Sequence, residues 1–132
     1  MEESMYITRF SRKDGNKEDY FYHTKREATA HLNLFAEDDS GLYQSIAVID
    51  SEKDMVLRIL PFENGESCRV ISLGDHVHLK DEYCSEAENV KNHLYAVSNI
   101  NEATGRLIIT CLTSGMTIAP SETVGVEMVA LA

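Results

Sequence analysis

Few side chains in this chain are spaced for chemistry. His76 and His78 form a His-x-His pair. In a strand both would point to one face, a spacing that zinc or another transition metal can use. Cys84, Cys111 or His93 would have to complete such a site, and no Cys-x-x-Cys is present. If Val77 and Leu79 face the core, the two histidines face water and no metal site is expected. His31 falls on the apolar stripe of a helix, as a general base or as a packed histidine with one ring nitrogen satisfied. Cys84 has Asp81, Glu82 and Glu86 for neighbours, and their charge opposes thiolate formation. Cys111 sits inside a strand pattern, where a buried inert thiol is the default. Ser114 lacks the preceding Gly of a nucleophile elbow. The seven glycines are scattered, whereas phosphate loops and dinucleotide fingerprints cluster them before a helix. The expectation is a non-enzymatic chain with no catalytic residues, no bound metal and no cofactor. A small metal-binding or enzymatic module using His76, His78 and Cys84 is the alternative.

Charge is the more distinctive property. The 132 residues carry 22 acidic and 12 basic side chains, a net charge of −10. Sequence-independent nucleic-acid binding needs a basic surface to displace counterions, and an anionic membrane attracts cations. Both functions are therefore disfavoured. Residues 1–64 hold 8 basic and 13 acidic side chains, and residues 65–132 hold 4 and 9. Acidity thus belongs to the whole chain. It gathers in three segments: Glu37, Asp38 and Asp39; Asp50, Glu52 and Asp54; and Asp81, Glu82, Glu86 and Glu88. None has the ordered ligand spacing of a calcium loop. Closely spaced carboxylates on a folded surface can compete with nucleic acid for a basic groove, and long-range attraction speeds the encounter. These ten residues are the candidate partner-binding set; the plainer reading is that acidity keeps the chain soluble. A basic group also exists: Arg9, Arg12, Lys13 and Lys17, with Lys25 and Arg26 beyond them and Tyr6, Tyr20 and Tyr22 interleaved. Contact with phosphates and bases through this first hairpin is a further alternative, diluted by Glu18, Asp19 and Glu27.

These residues need elements to hold them. Residues 5–10 and 19–23 read as strands around the turn pair Asp14-Gly15. Thr24 and Glu27 fit a capping box, and Ala28, His31, Leu32 and Phe35 recur at helical spacing. The helix is predicted over residues 25–36. Residues 43–49 and 55–60 are strands around a polar turn. The first unit, residues 1–62, is thus a ββαββ antiparallel sheet with one helix on a face. Residues 61–67, with Pro61 and Gly65, mark the boundary. Residues 63–132 read as all-β, with strands at 68–71, 75–79, 93–100, 106–112, 116–118 and 124–129. The class is α+β, the second unit being a small five- or six-stranded β-barrel.

Two resemblances follow. Leu73-Gly-Asp-His-Val-His-Leu79 is similar to the opening strand of small barrels of the Src-homology-three type. Gly115 to Val124 resembles the segment before their last strand, where a short 3₁₀ turn built on Pro and Ser precedes the closing strand. This likeness implies a barrel over residues 68–129. It does not carry the family's proline-rich-peptide groove, because the chain has no Trp and lacks the aromatic-acidic opening motif. In size and acidity the chain resembles phage-encoded DNA-mimic and anti-CRISPR inhibitors. That likeness implies a non-catalytic inhibitor or regulator of a nucleic-acid-binding protein, from a phage or mobile element. The partner expected is another protein, with neither nucleic acid nor membrane bound directly. The acidic N-terminus and the absence of a long apolar run point to a cytoplasmic protein with free thiols.

Overall fold

The computed structural model describes residues 5–80, 94–112 and 121–132. The chain divides into two compact units, Met1–Ile71 and Ser72–Ala132. Both are built of antiparallel sheet, and among the described residues there is a single short α-helix.

The first unit runs β1 (Tyr6–Arg12), β2 (Lys17–Tyr22), α1 (Lys25–Asn33), β3 (Tyr43–Asp50), β4 (Met55–Glu63) and β5 (Glu66–Ser67). Its strand order is β2-β1-β3-β4-β5. β2 and β3 flank β1, so the chain must cross β1 between them, and α1 makes the crossing. The register aligns Thr8 with Val48 and Val48 with Arg58, and likewise Phe10 with Ile46 and Ile46 with Leu60. Strand alternation puts these residues on one face, the face that α1 covers. The Thr8 hydroxyl, itself buried, donates to the Ala28 carbonyl at 2.9 Å. Ala28 and Leu32 of the helix are buried with Phe10, Ile46, Val48 and Leu60. A nine-residue helix is too short to persist alone in water, so this contact holds it.

The cap forms in a variant of the expected box. Thr24 Oγ1 accepts from the Glu27 N–H at 3.1 Å and donates to Glu27 Oε1 at 3.0 Å. The helix ends at Asn33 rather than residue 36. Beyond it the Phe35 and Ala36 N–H groups reach carbonyls only three residues back, a tightened last turn.

Pro61 lies within β4 and Gly65 just beyond it, both inside the first compact unit, which runs to Ile71. Asn64 and Gly65 both have positive φ, 54° and 84°, the two-residue hairpin turn that favours this dipeptide. Glu63 pairs with Glu66 and Phe62 with Ser67, so the chain folds back along β4. Residues 68–71 do not form the expected strand; only a two-residue β6, Ile71–Ser72, follows.

The second unit contains β7 (His76–Leu79), β8 (Tyr95–Asn101), β9 (Arg106–Cys111), β10 (Ser121–Gly125) and β11 (Val129–Leu131). The order is β10-β9-β8-β7-β11. Its core holds Val77, Leu79, Tyr95, Val97, Ile100, Leu107, Ile109, Cys111, Val124 and Val129. A bulge at Ser98 shifts the β8 register. That shift carries burial from the odd positions 95 and 97 to the even position 100. The predicted strand over 124–129 is broken by a 3₁₀ turn at Val126–Met128. The turn therefore lies after residues 115–124, and Ser121 opens a strand instead of the turn. No closed barrel is found among the described residues, because β10 and β11 are edges and no pairing joins them. The strand expected at 116–118 lies outside the described residues.

Candidate functional site

Ser67 does the positioning at one end of the first unit. Its N–H donates to the Asp38 carbonyl at 3.0 Å, and its hydroxyl donates to the Ala36 carbonyl at 2.5 Å. The segment after α1 is thereby tied to the β4–β5 hairpin. Asp38 is occupied locally, its Oδ2 accepting from the Ser40 N–H and hydroxyl. Glu37, Asp39, Glu63 and Glu66 are exposed, so four carboxylates share this end. Glu63 and Glu66 stand directly opposite each other across the strands, where like charges repel. Lys13 Nζ reaches the same end, 3.8 Å from where a Cβ on Gly65 would sit. Glu63 and Glu66 fall outside the three acidic segments of the sequence. Their signal was the Asn-Gly hairpin between them, which turns a supposed linker into two facing carboxylates.

Gly65 makes the junction possible. It is buried, has φ of +84°, and an added Cβ would lie 3.2 Å from the Gly41 Cα. Gly65→Ala is expected to cost about 1–2 kcal/mol from the left-handed backbone alone. A urea titration of the variant beside the parent chain measures it. An unchanged midpoint would mean that the turn relaxes.

Asp50, Glu52 and Asp54 lie at the other end of β3. The strand has eight residues, so the two acidic groups are separated by roughly 23 Å along it. Asp50 is buried and its Oδ1 accepts from the Glu52 and Lys53 N–H groups. It serves the turn, while Glu52 and Asp54 are exposed. The structure brings Glu37–Asp39 to the β4–β5 hairpin but does not bring them to Asp50–Asp54. Asp81, Glu82, Cys84, Glu86, Glu88 and His93 lie outside the described residues.

The basic hairpin partly neutralises itself, through its two arginines. Arg9 forms a bidentate pair with Asp19, with Nε to Oδ1 at 2.8 Å and Nη2 to Oδ2 at 3.0 Å. Arg12 pairs with Glu18 at 2.6 Å and lies over the Tyr43 ring. The Tyr20 hydroxyl donates to Glu18 Oε2 at 3.0 Å. That bond and the Glu18 charge hold the phenol above its usual 10.0. These half-exposed pairs contribute on the order of 1 kcal/mol or less, but they withdraw two of the four hairpin cations from the role of phosphate ligands.

His31 sits within a ring of aromatics. Its centroid lies 4.9 Å from Phe10, 4.8 Å from Tyr20, 5.7 Å from Tyr22 and 6.1 Å from Phe35. Nδ1 is 2.8 Å from the Tyr22 hydroxyl. This is a packed histidine with one nitrogen satisfied. Burial lowers its pKa from 6.5. The unfolded chain therefore binds a proton at higher pH than the native state does. The stability gained above about 6.5 is lost as pH falls from there through the native value. His31→Phe, which keeps an aromatic ring, is expected to flatten that acid-side slope. Parallel urea melts from pH 7.5 to 5 measure it, and identical slopes would refute the assignment.

His76 and His78 alternate with the buried Val77 and Leu79, and both are exposed. They share a face, as the spacing requires. Among the described residues no group of three or more His, Cys, Asp or Glu side chains is placed to hold a metal. Cys111 is a core side chain, 2% exposed. No helix among the described residues is long and apolar enough to cross a membrane. Comparison with known proteins finds no family model, no curated protein and no solved structure that matches this chain.

Proposed function

We propose that this chain is a non-catalytic binding protein that engages a basic protein surface, acting as an inhibitor or regulator of a nucleic-acid-binding protein. The observation that carries the reading is the acidic end of the first unit. Glu63 and Glu66 face each other across a two-residue hairpin, with Glu37 and Asp39 tethered alongside by Ser67. Directly opposed like charges destabilise a sheet by a few tenths to about 1 kcal/mol. A sequence that sets its own local preferences against stability does so most often where a site needs it. Carboxylates held on rigid turns present fixed negative charge to a groove built for phosphates. The self-paired hairpin cations favour this reading over direct nucleic-acid contact. A phage or mobile-element origin, suggested by size and acidity, belongs to the same proposal. For the second unit we propose a scaffold of the Src-homology-three type. What supports it is a last strand that pairs with the first, and a 3₁₀ turn directly before that last strand.

Immobilised full-length chain in bacterial lysate tests the function. Retention of a basic nucleic-acid-binding protein at low salt is expected, with release by duplex DNA and by about 0.5 M salt. Salt-insensitive capture of a neutral or acidic protein would overturn the reading.

A further inference from the structure

We propose that the cleft between α1 and β4 binds a small phosphorylated organic molecule through Lys25, Arg26 and Arg58. The cleft has a volume of about 580 Å³ and is lined by Lys25, Arg26, Thr29, Ala30, Asn33 and Arg58. That size lies within the range of small-molecule sites, about 300–1,000 Å³. The five helical residues fall on one side of α1, beside the stripe formed by Ala28 and Leu32. Arg58 comes from the sheet below. Its register with Val48 puts it on the helix-covered face, at the margin where α1 no longer reaches. A bulge at Leu57 immediately precedes it, and bulges re-aim the neighbouring side chain.

Two polar atoms in this lining lack partners. Arg58 Nε and Thr29 Oγ1 are buried and make no hydrogen bond. Buried donors are rarely left unused, and each such group calls for an explanation. The guanidinium fork of Arg58 suits a phosphate, and Nε and Thr29 Oγ1, closed off from solvent in the empty cleft, would meet it once the two side chains turn toward the ligand. Among the described residues no ion pair engages Lys25, Arg26 or Arg58, in contrast to Arg9 and Arg12 of the first hairpin. The lining includes Lys25 and Arg26 of the first turn of α1, where the helix dipole adds positive potential. Glu27 is the one carboxylate in that turn, and it is engaged with the Thr24 hydroxyl.

The surroundings select the class of ligand. Glu52 and Asp54 are exposed at the end of β3 near which α1 begins, and the chain as a whole carries −10. A long polyanion would have to lie across that negative surface. A compact anion seated in the cleft is attracted by the three cations that line it. The stems of the basic side chains and Ala30 add apolar lining for an organic group.

The test titrates ¹⁵N-labelled full-length chain separately with inorganic phosphate, ribose 5-phosphate and single-stranded oligothymidylate, following amide shifts to about 10 mM ligand. Saturable shifts confined to α1 and the residues around 58 are expected, with ribose 5-phosphate tighter than inorganic phosphate. Arg58→Gln is expected to weaken binding about tenfold or more. The exposed pair Lys25→Gln, Arg26→Gln is expected to do the same without touching the core, and it carries the test if Arg58→Gln does not fold. Absence of saturable shifts overturns the proposal, as does unchanged affinity in the double variant. Equal affinity for inorganic phosphate overturns the organic part. Tighter binding of oligothymidylate through the same residues overturns the small-molecule class.

Discussion

Leu32→Ala is expected to lower the free energy of unfolding by about 2–5 kcal/mol, the range for a leucine truncated in a core that cannot collapse. Leu32 has no solvent exposure and sits among Phe10, Ile46, Val48 and Leu60, all buried. A cavity there is bounded by sheet on one side and by a helix with little stability of its own on the other. The truncation should therefore undock α1 as well as lose transfer energy, and the urea m-value should hold only if α1 stays docked. Leu34→Ala is the internal comparison. That side chain is 79% exposed, and its loss is expected to change stability by no more than about 0.5 kcal/mol. A loss below about 1 kcal/mol for Leu32→Ala would mean that the helix does not seal this face.

Removing the acidic end is expected to slow association with the basic partner about ten- to a hundredfold at low salt. The variant combines Glu37→Gln, Asp39→Asn, Glu63→Gln and Glu66→Gln. Its stability should hold or rise slightly, since Glu63 and Glu66 no longer oppose each other. That combination separates a charge effect from unfolding. Stopped-flow or surface-based association rates with the captured partner measure it, and the gap between variant and parent should narrow as salt rises. Glu52→Gln with Asp54→Asn, at the far end of β3, is expected to change the rate less than about threefold. Equal losses at both ends would mean that net charge alone governs the encounter.

Signals carried within a few residues were legible in the sequence. Thr24 and Glu27 marked the start of α1, and Ala28 and Leu32 marked its buried side. The alternation around His76 and His78 placed both histidines toward water. What was not legible depended on contacts distant in sequence or on single inserted residues. The bulges at Leu57 and Ser98 leave no strong local mark, yet one precedes Arg58 and the other rephases β8. The tie between Ser67 and Ala36 spans 31 residues, so the meeting of Glu37 and Asp39 with Glu63 and Glu66 had no local trace. Asn64-Gly65 did have one, but Pro61 nearby favoured a linker. Arg58 looked like one charged residue in an apolar strand. Only the sheet register shows that it lies at the margin of the helix and completes the cleft.

The position of β2 at the end of the strand order has a consequence for the chain at high concentration. An outer strand is a template on which another copy can add, the first step toward stacked aggregates. Lys17, Glu18 and Asp19 put charge on the first half of this strand, and Arg9 and Arg12 hold the two carboxylates in place. The second half carries Tyr20 and Phe21, at 42% and 60% exposure. The guard is therefore one-sided. Neutralising Glu18 and Asp19 would leave a six-residue strand with aromatic side chains and little charge. The damage would appear as precipitation while the fold itself remained intact.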